Sequence, residues 1–104
     1  MQDVKRVEII ANSFELEKLL AALEQSGVRS HAVVRGVSGK QFYGGKEDLD
    51  MTMQDNVYIV AFFPPEILQQ VVKAICPLLD RFGGTCHISD SIEIESADSV
   101  ENKT

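Results

Sequence analysis

The chain has 104 residues, 44% of them hydrophobic and 25% charged, and a formal net charge of -6. These values describe one ordinary globular domain, and the acidic balance excludes a general nucleic-acid binder, which needs a basic face. The longest apolar run, "VYIVAFF", is far shorter than the ~20 residues of a membrane-spanning helix.

The N-terminus "MQDVKRVEII" has no basic start followed by an apolar core, and Cys76 and Cys86 do not share a CxxC spacing. Both features point to a reduced, cytoplasmic protein. The segment Val4–Ala11 predicts a strand, with Val7 and Ile9 opposing Arg6 and Glu8. Asn12 with Glu15 has the spacing of a capping box, and Leu16, Leu19, Leu20 and Leu23 repeat at helical spacing up to a C-capping Gly27. Ser30–Val37 predicts a second strand and Asn56–Phe63 a third. Pro64 and Pro65 open a second helix, whose apolar stripe includes Ile67, Leu68, Val71, Val72, Ile75, Leu78 and Leu79. Pro77 removes one backbone donor and is expected to kink that helix. Gly83 and Gly84 stop it, and Thr85–Glu95 predicts the closing strand. The domain therefore spans residues 1–96, with 97–104 as a flexible polar tail.

The order βαββαβ implies an α+β, ferredoxin-like sandwich: an antiparallel sheet with two helices on one face. The third strand is apolar at nearly every position, which implies burial on both faces. The helices cover one face, and the economical cover for the other is a second copy of the chain, the plain alternative being that Tyr58, Val60 and Phe62 face solvent as a modest patch. Between the second and third strands lies "GVSGKQFYGGKEDLDMTMQDN". No apolar period runs through it, and loops beyond about 12–15 residues are generally functional or disordered. Residues 40–54 are expected to be mobile in the absence of a ligand.

The order of elements, the long loop, "RFGG" before the last strand and the segment "GVRSHAVVRGVSG" resemble the PII and PII-like signalling superfamily over residues 4 to 95. The segment is similar to the "GVxGxTVxxVxG" pattern near the PII start. The resemblance implies a homotrimer with three clefts between subunits, where adenine nucleotides bind and reshape the long T-loop. That loop then docks on a target protein, often a membrane transporter. Several PII-like branches accompany bicarbonate transporters and bind adenyl nucleotides and, in some cases, bicarbonate. Others accompany heavy-metal efflux, and the related CutA trimers are linked to copper tolerance.

The candidate nucleotide-binding residues are Arg35, Gly36, Gly39, Lys40 and Gln41 at the loop stem, and Gly83, Gly84 and Thr85 at the turn before the last strand. Glycines permit close backbone approach, Lys40 and Arg35 supply charge, and Gln41 can read an adenine edge or a ribose. At the turn, backbone N–H groups and the Thr85 hydroxyl can face a phosphate. Each also has a plain structural reading, as a solvated stem, a cross-strand ion pair for Arg35, or a helix C-cap. Phe42, Tyr43, Met51 and Met53 are candidates for the partner-binding loop.

The chain also departs from the PII pattern. Thr85 and Cys86 stand where a lysine follows the glycines, and Glu93 and Glu95 stand near the usual paired arginines. Those cations balance triphosphate charge, so AMP, ADP or cyclic AMP is favoured over ATP as effector. The signature around the modified T-loop tyrosine is also absent. The alternative reading is a metal-responsive trimer using Met51, Met53, Cys86 and His87. Cys86 and His87 are neighbours on a strand, however, and must point to opposite faces. No nucleophile–base pair is legible, so the expectation is a regulator and not an enzyme.

Overall fold

In a computed structural model, residues 1–38, 41–43, 46–48 and 55–95 are described, with backbone only at 41–43 and 46–48. A main sheet is built from β1 (Gln2–Asn12), β2 (His31–Val37), β5 (Asn56–Phe63) and β6 (Thr85–Glu93), in the order β2-β5-β1-β6, with every pairing antiparallel. Two helices, α1 (Leu16–Gln25) and α2 (Leu68–Phe82), pack against each other. This is the ferredoxin-like arrangement expected from the element order.

Alternation along the central strands places the core. Val7, Ile9 and Ala11 of β1 and Val57, Ile59, Ala61 and Phe63 of β5 are buried with Leu16, Leu19 and Leu23 of α1 and Val71 and Ile75 of α2. Successive strand residues point to opposite faces, so the other positions of the same strands form a second, open face. It holds Arg6, Glu8 and Ile10 of β1, Tyr58, Val60 and Phe62 of β5, and Ala32 and Val34 of β2, as their cross-strand registers require. Phe62 is 45% and Val34 53% exposed there.

Asn12 enters the first helix differently from the expected box. Its side-chain oxygen accepts from the Phe14 N–H at 3.0 Å, within a 3-10 turn over Ser13–Glu15 that precedes α1. Glu15 instead lies 3.8 Å from the Lys18 ammonium, its neighbour one turn on. The helix closes in a Schellman motif: the Val28 N–H bonds Leu23 and the Gly27 N–H bonds Glu24, with Gly27 at φ +106°. Pro65 opens a second 3-10 turn, Pro65–Ile67, before α2. The helix α2 then continues through Pro77 to Phe82.

The long segment after β2 is not devoid of regular structure. Short strands β3 (Gln41–Tyr43) and β4 (Lys46–Asp48) pair antiparallel as a hairpin of their own. Gly44-Gly45, a two-residue turn signal between the strands, is the sequence feature that could have predicted it.

Two glycines differ in what holds them. Gly84 has φ +98°, and a Cβ on it would lie 2.8 Å from the Ile10 carbonyl oxygen and 3.3 Å from the Ala11 Cβ. Gly36 has φ +71° and open space around it. Gly84→Ala is therefore expected to destabilise the fold by roughly 2–5 kcal/mol, from backbone strain plus overpacking, and Gly36→Ala by about 1–2 kcal/mol from strain alone. Denaturant unfolding checks this order; equal losses would mean that the approach of Gly84 to β1 is not a tight one.

Candidate functional site

Antiparallel pairing fixes where the predicted site residues lie. Arg35 pairs with Val57, and Val57 with Ala11. Ala11 is the residue that Gly84 approaches, and Ile10 beside it pairs with Thr85. Arg35 and Gly36 therefore stand at the same end of the sheet as Gly83, Gly84 and Thr85. They are not together, however, because β2 and β6 are the two edge strands. Three strand spacings of about 4.8 Å, roughly 14 Å in all, separate them within one chain.

The loop stem is shaped by a bulge. The β2–β5 register shifts between Arg35 and Val37, and Gly36 takes the left-handed conformation there. Arg35 is exposed and, among the described residues, makes no ion pair, so the cross-strand pairing weighed for it is not found. Gly39 and Lys40 lie outside the described residues, as do Met51 and Met53. Gln41, Phe42 and Tyr43 form β3, with no description of their side chains.

The turn at the other edge follows α2. The Gly83 N–H donates to the Leu79 carbonyl at 2.8 Å, which is a helix C-cap. Gly84 then needs to be glycine because of the β1 backbone beneath it. The structural reason for this glycine pair is thus complete without a ligand. Thr85 shares the open face with Ile10.

At the far end of β6, Gln2 donates a side-chain hydrogen bond to Glu93 at 2.9 Å. Eight residue steps of about 3.3 Å place Glu93 roughly 26 Å from Thr85 in the same chain. This acid therefore does not face its own chain's glycine turn.

Cys86 and His87 diverge as a strand requires. Cys86 pairs with buried Ile9 on the helix side, whereas His87 pairs with Glu8 on the open face. Among the described residues, no three His, Cys, Asp or Glu side chains are grouped so that they could hold a metal ion. Both thiols line an apolar cavity of about 300 Å³ between α2 and β6, with Val71, Ile75, Leu79 and Ile88. Burial pushes the Cys86 thiol up to about 11, whereas Cys76 is exposed.

One polar cluster on the open face was not anticipated. The Tyr58 hydroxyl donates to Glu8 Oε2 at 2.7 Å, and Arg6 Nη2 donates to the same oxygen at 3.3 Å and to the Tyr58 oxygen at 3.4 Å. The Tyr58 hydrogen bond first, and the Glu8 charge second, raise the Arg6 guanidinium above its ordinary value. Its sequence signal was the charged pair at alternate positions of β1, facing away from Val7 and Ile9.

The nitrogen regulatory protein P-II family model matches residues 4–98, and the chain belongs to that family. Comparison with curated proteins gives no match. CPII from Thiomonas intermedia K12, a nitrogen regulatory PII-like protein solved bound to ADP, AMP and bicarbonate, superposes with a TM-score of 0.75 at 21% identity, covering 91% of this chain and 98% of that one. CPII bound to ADP and bicarbonate gives 0.72 at 24% identity, covering 86% and 87%. The GlnK–ATP complex of B. subtilis gives 0.64 at 18% identity, covering 86% and 82%. At these identities the similarity establishes the fold, and the family match adds a regulatory, PII-like class.

The two thiols provide a test of the packing at β6. At a pH of about 8, Cys76 is expected to react with a thiol reagent roughly 100-fold faster or more than Cys86, because the raised value leaves Cys86 few thiolates. Mass spectrometry of partly labelled protein reads the ratio, and denaturant should abolish it. Equal labelling of the native protein would contradict the buried position of Cys86.

Proposed function

We propose that the protein is a regulatory trimer that binds an adenyl nucleotide between subunits and passes its state to a target protein through the long loop. The observation that carries this reading is the split site. Arg35 and Gly36 share one end of the sheet with the glycine turn but occupy the opposite edge, and this separation supports a site completed by a neighbouring chain. The open face gives the chains a reason to associate, since Tyr58, Val60, Phe62 and Val34 line it and, among the described residues, no helix of the same chain covers it.

In this reading Arg35, Gly36, Gly39, Lys40 and Gln41 come from one chain, and Gly83, Gly84 and Thr85 from its neighbour. AMP, ADP or cyclic AMP is preferred to ATP, because the turn carries Thr85 and Cys86 in place of a cation. Bicarbonate is a candidate second effector, since CPII binds it together with adenine nucleotides. The target is a membrane transporter, and the protein works on the cytoplasmic side, reaching the membrane through that partner. Among the described residues, no helix is long and apolar enough to cross a membrane. Phe42, Tyr43, Met51 and Met53 are the proposed contacts to the target. The reaction class is regulation and not catalysis.

Calorimetry with AMP, ADP, ATP, cyclic AMP and bicarbonate tests the effector. Lys40→Ala is expected to weaken adenyl binding roughly 10- to 100-fold, the loss of one charge-assisted contact worth ~1.5–3 kcal/mol. Unchanged binding would remove the loop stem from the site. Val60→Lys tests the assembly, because Val60 lies between Glu8 and Ala32 at the centre of the open face. Glu8 can balance the new ammonium in a single chain, but burying it between chains costs several kcal/mol. Light scattering should therefore find a folded monomer; a trimer as stable as the parent's would refute this placement of the interface.

A further inference from the structure

We propose that Arg6 and Glu8 form an alternating ring of charge between subunits, so that the chain assembles with its own copies and rejects subunits with a different pattern. The proposal rests on the trimer reading above, and it commits to a second copy of this chain as the occupant of the open face. The Arg6–Glu8–Tyr58 cluster is half used within one chain. All three hydrogen bonds involve Glu8 Oε2, Arg6 Nη2 and the Tyr58 hydroxyl. Among the described residues, Glu8 Oε1 and Arg6 Nη1 have no partner, while a guanidinium has five N–H donors and a carboxylate four lone-pair sites. The two side chains keep 42% and 33% of their surface exposed, on the sheet face that the helices leave uncovered.

The cluster is therefore preorganised but incomplete, and it carries one cation and one anion. Such a pair complements itself. In a closed ring, the Arg6 of each copy meets the Glu8 of the next, and every charge is paired without a net charge at the axis. Tyr58 holds Glu8 in place for that contact. His87, across from Glu8 on β6, and the apolar Ile10, Val60 and Phe62 surround the pair on the same face. Setting charges against a wrong partner is how protein interfaces reject near relatives. A plain internal ion pair would also be neutral, but it would not discriminate between subunits.

That difference supplies the experiment. A swapped chain carrying Arg6→Glu and Glu8→Arg is neutral inside itself, and it is expected to form trimers alone. Mixed with the parent after partial unfolding and refolding, it should give pure parent and pure swapped trimers in native mass spectrometry, because mixed rings place like charges together. Mixed trimers at statistical proportions would overturn the proposal. If the swapped chain does not assemble, Glu8→Ala decides. It should raise the concentration at which the trimer half-dissociates by about 100-fold or more, by leaving Arg6 unpaired at the interface. A Glu8→Ala trimer as stable as the parent's would overturn the proposal equally. A parent that is monomeric at micromolar concentration would instead defeat the trimer reading itself, and this inference with it.

Discussion

Two helices cannot cover both faces of a four-stranded sheet, and most of the molecule's behaviour depends on that shortage. In β5, Val57, Ile59, Ala61 and Phe63 are buried beneath α1 and α2, while Tyr58, Val60 and Phe62 emerge on the other side. β1 repeats the pattern with Val7, Ile9 and Ala11 inside and Arg6, Glu8 and Ile10 outside. An uncovered sheet face carrying Val34, Val60 and Phe62 fits association with another chain. The polar pair in its midst is what the proposed assembly uses to set direction and register.

The antiparallel order has a second consequence. Because β2 and β6 are the edges, the positive-φ glycines at Gly36 and at Gly83-Gly84 lie at one end of the sheet but far apart. Among the described residues, a single chain holds the two proposed halves of the site apart. In the proposed trimer, association completes the sheet's cover and the ligand cleft together, so the proposal links binding to assembly.

Much of this was legible in the sequence because strands and helices have fixed periods. The apolar run at Asn56–Phe63 marked the central strand β5, and Gly27 marked the end of α1, where it closes a Schellman motif. The glycine turn was harder. Gly84 invites a reading as a ligand cradle, but its immediate constraint is the Ile10 carbonyl of its own chain, a contact between distant residues that composition cannot reveal. The Asn12 cap engaged Phe14 because a 3-10 turn intervenes before the helix, a local choice that spacing alone does not determine. The β3–β4 hairpin escaped notice because three residue pairs are too short for alternation to register. The Tyr58 hydrogen bonds depend on which strands are neighbours, and so appear only once the sheet order is known.

The central claim is that each ligand site takes its loop stem from one chain and its glycine turn from another. Complementation tests it most directly. Two variants, Lys40→Glu at the stem and Thr85→Glu at the turn, should each lose adenyl-nucleotide binding alone. Co-refolded in equal amounts, they should recover binding in about a quarter of the clefts, the fraction in which a sound stem meets a sound turn in random closed rings. Recovery near that level by calorimetry is the result predicted here. Persistent loss in the mixture, with mixed trimers present, would mean that each site lies within a single chain.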